Sequence, residues 1–260
     1  MSKIKLLLLL LIFGISFWLT GGNNLFNDYH NSATVNNKAI DDSLITAGSF
    51  YDKVKRLIFL PEAVDIALKE KNIKNYTKLK NINLTMQQAV IAVEDNRFNR
   101  HLGIDIESII RATLVNLQHG QVEEGASTIT QQLVKNLFFN NDRTVNRKVE
   151  EIILSLVLEQ RYTKDEILEF YLNSIYFGAG FYGIADASQG YFGKAPYELN
   201  IAESAMLAGI PNAPSVYSPY VNFGAAKTRQ AIVLNAMFKN GYIGEQASQD
   251  AKLEILNFIK

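Results

Sequence analysis

Residues 125–151 read GASTITQQLVKNLFFNNDRTVNRKVEE, and two patterns are superimposed in them. Ile129, Leu133 and Leu137 recur at i, i+4 and i+8 with Val134 beside them, which is the apolar stripe of an amphipathic helix. Thr128-x-x-Gln131 is a capping-box pattern at its entrance. The stripe explains the apolar positions only. Ser127, Thr128, Thr130, Gln131 and Gln132 crowd hydroxyls and amides at the helix start, and Lys135, Arg143, Arg147 and Lys148 follow. Donors, free N–H groups at a helix start and several cations are what a phosphate-rich group needs to replace its lost hydration. A capped helix followed by a solvated basic face has the same pattern, so the stretch alone leaves both readings open.

Around it, the composition is that of a folded protein. The chain has 260 residues, 48% of them hydrophobic, enough for one large or two small domains with a sizeable core. Formal net charge is zero, and setting aside Lys3 and Lys5 leaves a slightly acidic remainder, which argues against nucleic acid as a partner. Cysteine is absent, so disulfides, thiolate catalysis and cysteine-based metal sites are excluded.

Residues 1–5 carry two lysines, and 6–22 form an uncharged run, LLLLLLIFGISFWLTGG. As a helix the run spans about 25 Å, slightly short of a hydrocarbon core of roughly 30 Å. Trp18 near its end is placed as an interfacial anchor, whereas Thr20 and Gly22 are small enough for a signal-peptidase site; an uncleaved anchor is the favoured reading. Lysines before the run and none just after it put the N-terminus in the cytoplasm and the remainder on the outer face. Residues 23–49, rich in Asn, Asp, Ser and Thr, read as a linker, which leaves 50–260 for the folded domain.

Within that domain, 50–80 reads as helix with interruptions, and its lysine-rich part from Lys69 to Lys80 is either a solvated face or a surface for anionic headgroups. Thr85-x-x-Gln88 introduces QAVIAVED, an apolar helix ending in Glu94 and Asp95. An acid there meets the negative end of the macrodipole and apolar neighbours, and both favour its protonated form. A raised pKa suits a general base. Gly103 marks a turn into a helix over 104–117, Glu151 opens the helix IILSLVLEQRY, and Thr163-x-x-Glu166 and Asn200-x-x-Glu203 cap two more. The segment NSIYFGAGFYGIADASQGYFGK follows a helix rather than a strand, so its glycines indicate close packing, not a dinucleotide loop. The closing helices are expected over 225–240 and 245–259. Strand signals are few, and the fold class is all-α.

EDNRFNRHLGID, GASTITQQLVKN, RKVEE, EILEFYLNSIYFG and AESAMLAGIPNAPSVYSP, in this order, together resemble the five motifs of the peptidoglycan glycosyltransferases, the transglycosylases that polymerise lipid II. The resemblance runs from about 84 to 243. A chain ending at Lys260 has no room for a penicillin-binding transpeptidase domain, so it resembles the monofunctional form, although the last two motifs are closer to those of bifunctional enzymes. The resemblance implies a lysozyme-like helical lobe with a small membrane-associated jaw lobe, behind a transmembrane anchor. Glu94 matches the general base that takes the proton from the acceptor 4-hydroxyl, and Lys135, Arg143 and Lys148 match residues that hold the donor pyrophosphate. Glu151 matches a second essential carboxylate, acting through a divalent metal or by orienting the cations. Ser127, Gln131 and Gln132 match substrate contacts; Asp95 and His101 bind substrate or hold the first motif in shape. Phe138, Phe139, Tyr171, Phe177 and Tyr182 are candidates for apolar surface near lipid. The implied partners are lipid II, the growing lipid-linked glycan, the membrane and cell-wall synthesis or division proteins. Mg or Mn would travel with the pyrophosphate, and no organic cofactor is expected. The competing readings are a lysozyme-like lytic enzyme, beside whose neutral leaving group the cations have no role, and a non-catalytic precursor-binding scaffold.

Overall fold

The computed structural model describes residues 49–71, 73, 75–119, 125–139 and 144–259. The apolar run at 6–22, nearly all of the 23–49 linker, and Arg143 lie outside the described residues. Among the described residues no helix is long and apolar enough to cross a membrane.

The helices are α1 (Phe50–Ile58), α2 (Leu60–Glu70), α3 (Leu84–Glu94), α4 (Ile106–His119), α5 (Ile129–Phe138) and α6 (Val145–Arg161), then α7 (Lys164–Ser174), α8 (Ile184–Phe192), α9 (Ile201–Gly209), α10 (Pro214–Tyr217), α11 (Phe223–Lys239) and α12 (Glu245–Leu253). An isolated bridge between Tyr176 and Tyr182 is the only β pairing among the described residues. The all-α expectation therefore holds.

Local chemistry fixes most boundaries. Thr128, Thr163 and Asn200 each close a capping box with Gln131, Glu166 and Glu203, satisfying N–H groups that a helix start leaves orphaned. Several expected starts are displaced. Helix α3 begins at Leu84 because the Asn83 side chain accepts from the Thr85 N–H, so Thr85 lies inside the helix rather than capping it. Helix α6 begins at Val145, capped by Thr144, which puts Glu151 in its second turn instead of at its start. Helix α4 starts two residues later than expected, and α12 ends at Leu253 rather than running to 259. The last residues are extended: the Ile259 N–H donates to the Tyr191 carbonyl at 3.0 Å, and Phe258 stacks on Phe192 with centroids 5.2 Å apart.

Two helix groups make the core. Helix α9 is buried from Ala202 to Gly209 and packs between α3 and α11, its Ala, Ser and Gly residues letting the backbones approach closely. In the second group α5 packs against α6 and α7, burying Ile129, Leu133, Val134, Leu154, Leu158, Ile167 and Leu168. The glycine-rich segment does serve close packing: at Gly183, with φ +80°, an added Cβ would come within 2.6 Å of the Asn173 carbonyl oxygen.

Helix α4 differs from the others. Ile106, Ile110, Leu114 and Leu117 are all more than half exposed, and Ala112 is the only buried side chain among those described on it. Of the aromatic residues assigned to lipid-facing surface, Tyr171 and Phe177 are fully buried and Phe138 nearly so; burial in the core rules out that role for these three. Phe139 is half-buried and Tyr182 exposed.

Candidate active site

The two helix groups meet at the C-terminal end of α3, where the chain leaves the helix at Glu94 and Asp95. The Glu94 carboxylate is 7% exposed. Gln132 from α5 donates its amide N–H to Oε2 at 2.8 Å, and the amide oxygen accepts from the Tyr171 hydroxyl of α7 at 2.9 Å. From α11, the Arg229 guanidinium stands 3.5 Å from Oε1. Burial raises the Glu94 pKa and outweighs the opposing pull of Gln132 and Arg229, while Asp95 adds to the rise. The result is a carboxylate with an affinity for protons, as a general base requires.

Arg229 was not singled out from the sequence. Its stem passes the backbone of α9 at Gly209, where an added Cβ would come within 2.8 Å of Arg229 Cγ. Its guanidinium also lies over the Tyr217 ring of α10, 5.7 Å from the centroid. The AGIP sequence thus makes room for a cation delivered from a helix well downstream.

Asp95 and His101 hold the first motif to the second. His101 Nε2 lies 2.9 and 3.0 Å from the two Asp95 carboxylate oxygens, and Asp95 also accepts the Ile129 N–H at 3.0 Å, at the first turn of α5. Thr128 completes the staple by donating to the Gly103 carbonyl at 2.7 Å. This geometry favours the shape-holding alternative for both residues.

The cationic half of the site comes from α5 and α6. Glu151 is 2% exposed and is gripped by two cations of its own helix: Arg147 donates to it at 2.6 Å, and Lys148 bonds its other oxygen. Lys148 also donates to the Ser127 hydroxyl at 3.0 Å, so a buried anion fixes a partly exposed cation beside the polar entrance of α5. Lys135 is exposed, one turn beyond Gln132, and has no ion-pair partner among the described residues. Gln131 is 1% exposed and its amide oxygen accepts the Thr128 N–H, so it serves as a helix cap. The structure thus brings Glu94 and Gln132 together on one side, and Ser127, Lys148 and Glu151 on the other.

Neither carboxylate group offers a vacant cradle for a divalent metal. Both Glu151 oxygens are engaged by cations, so the donor set suits the cation-orienting alternative. Asp95, His101 and Asp105 bring their ligand atoms within 4.8 Å of one another, but Arg97 Nε lies 3.2 Å from Asp105, whose oxygens also accept from Ser108, and Asp95 is bonded to His101 and Ile129.

Comparison with known proteins places the chain in a family. Residues 62–238 match the family described as Transglycosylase. Penicillin-binding protein 1A of Neisseria flavescens is 41% identical over 216 residues, covering 83% of this chain and 27% of that protein. Its namesake in Escherichia coli is 45% identical over 172 residues, 66% of this chain and 20% of that one. The chain therefore spans about a quarter of the length of these curated relatives. The crystal structure of penicillin-binding protein 1A from Haemophilus influenzae aligns with 30% identity over 51% of this chain and 17% of that one, at a TM-score of 0.37. With a family match over residues 62–238, more than half of its length, the chain belongs to the transglycosylase family.

Proposed function

We propose that the chain polymerises lipid II into β-1,4-linked glycan. The acceptor sugar brings its 4-hydroxyl to Glu94, which takes the proton as the oxygen attacks C1 of the donor. The bond from C1 to the undecaprenyl pyrophosphate breaks on the opposite face, so configuration inverts and no covalent enzyme intermediate forms. Lys148, held by Glu151, and Lys135 stabilise the growing charge on the pyrophosphate, and Arg143 is assigned to the same group by resemblance. Mg or Mn, where it takes part, binds with the pyrophosphate; the chain's own contribution is base, cations and orientation.

The observation that carries this reading is the pairing of a buried proton-seeking carboxylate with a set of cations that has no use beside a neutral leaving group. The exposed apolar face of α4 supports a membrane-bound working position, since a surface of that kind is matched to lipid. Read as an anchor, the apolar run 6–22 with its preceding lysines supports a position on the outer face of the cytoplasmic membrane. Cell-wall synthesis or division proteins remain its proposed partners. The test is incubation of the detergent-solubilised chain with labelled lipid II and a divalent salt, with products separated by length. A ladder of muramidase-sensitive glycan is expected; lipid II bound but never polymerised would overturn the reading in favour of a scaffold.

A further inference from the structure

Gln132 meets Glu94 through a group that has two nearly identical ends. A carboxamide turned by 180° keeps its shape but exchanges a donor for an acceptor, so something must decide which end faces the base. The neighbour at the other end is Tyr171. Its ring is 0% exposed, and among the described residues its hydroxyl has one hydrogen-bond partner, the Gln132 amide oxygen at 2.9 Å. Burial and the nearby carboxylates of Glu94 and Asp95 hold the phenol pKa well above its ordinary value, so the hydroxyl keeps its proton. A buried O–H with one partner donates to it.

We propose that Tyr171 is a positioning residue for the base, locking the Gln132 amide so that its N–H, and not its carbonyl, faces Glu94. The hydroxyl occupies the amide oxygen, and the N–H end is then the one 2.8 Å from Glu94 Oε2. A donor there favours the ionised carboxylate. Without the hydroxyl, the amide oxygen loses its one protein partner among the described residues. It regains a partner by turning toward Glu94 and accepting a proton from the neutral carboxyl, which reverses the bias. The relay moves no proton itself; it sets which form of the base the site prefers.

The charged groups beside Glu94, and the one ionisable residue of the helix α9 packed against α3, do not substitute for it. Arg229 of α11 is 3.5 Å away, Asp95 on the same chain segment is held by His101 and the Ile129 N–H, and Glu203, the only ionisable residue of α9, is bonded to Lys194 at 2.6 Å. Among the described residues, only Gln132 presents Glu94 with an end whose polarity can be exchanged.

The role of Glu94 as base rests on the proposed function, so the decisive measurement is independent of turnover. The full chain in detergent micelles, labelled with carboxyl-¹³C glutamate, is titrated by NMR, and the Glu94 signal is identified by its loss in Glu94→Gln. In Tyr171→Phe the Glu94 midpoint should rise by about one pH unit, the scale of one hydrogen bond to a charged group. Gln132→Met, a near-isosteric change, should raise it at least as much, and the double variant no further, since Tyr171 acts through Gln132. With lipid II, the acid limb of kcat/KM in Tyr171→Phe should move with the midpoint while KM is unchanged. An unmoved midpoint in a Tyr171→Phe protein of wild-type Tm would overturn the relay, as would shifts that add in the double variant. A wild-type chain without polymerase activity would instead remove the functional reading, leaving the titration to judge the relay.

Discussion

Glu94 and Glu151 are the same residue in two opposed settings. Both are almost wholly withdrawn from water, at 7% and 3% side-chain exposure. Around Glu94 the structure places one amide donor at 2.8 Å and one guanidinium at 3.5 Å, too little to offset burial, and its pKa rises. Around Glu151 it places two cations in direct contact, and the carboxylate serves as their anchor. One site is left short of positive charge so that it will accept a proton; the other is surrounded by positive charge so that its cations stay aimed. On the proposed mechanism, environment rather than residue type divides the work of base and cation holder.

The comparison is broken most severely by removing the proton acceptor. Glu94→Gln keeps the size of the side chain and an acceptor for Gln132, so folding and lipid II binding should persist while polymerisation falls between about a hundredfold and ten-thousandfold. Polymerisation by that variant near the wild-type rate would take Glu94 out of the mechanism. Glu151→Gln should come next. Arg147 and Lys148 lose the charge that aims them, and a displacement of about 1 Å is enough for a loss of up to about a hundredfold in kcat/KM. Because the defect lies in orientation, lipid II binding measured by fluorescence anisotropy should fall much less than turnover. Equal losses in both would assign Glu151 to ground-state binding instead. Lys135→Ala should have a smaller effect, about tenfold on use of the pyrophosphate donor, the scale of one charge-assisted hydrogen bond. Its side chain is exposed and unpaired among the described residues, so Tm should not change. Unaltered donor kinetics would remove Lys135 from the anion site.

What could be read from the sequence was local. Thr128 and Gln131 announce their helix because a capping box is closed within four residues, and Glu94 ends an apolar helix whose burial follows from its own pattern. Reading failed where local signals competed or where the partner was remote. Thr85-x-x-Gln88 imitates a capping box, yet Asn83, two residues earlier, does the capping. Thr144 is followed at the third helical position by Arg147 rather than an acid or amide, so the sequence carries no capping-box signal for the start of α6, ahead of Glu151. Ile255, Phe258 and Ile259 look like the continuation of α12, but the aromatic surface formed by Phe192 and Phe223 takes up Phe258 from an extended chain. Arg229 reaches Glu94 across 135 residues of sequence, and nothing in its helix marks it. Tyr171 looked like apolar surface because its ring is visible in the sequence while the amide 39 residues away that takes its hydroxyl is not.

The weakest effect separates the two carboxylates by stability rather than rate. A carboxyl whose pKa is higher folded than unfolded binds its proton more readily in the native state. In the window from the unfolded glutamate value, about 4.3, up to the raised folded value, the native state therefore holds more protons than the unfolded one, and stability falls as pH rises. Above that window the penalty for a buried charge at Glu94 is complete. Glu94→Gln removes it, so at neutral pH the variant should melt at a higher temperature than wild type, and the difference should shrink as pH drops through the folded pKa. Glu151→Gln should behave in the opposite way at neutral pH, melting lower, because it leaves Arg147 and Lys148 without the anion between them. Thermal melts of the three proteins from acid to neutral pH would decide it. Parallel curves for both variants would mean that the two glutamates sit in equivalent electrostatic settings, and the division of labour between them would fail.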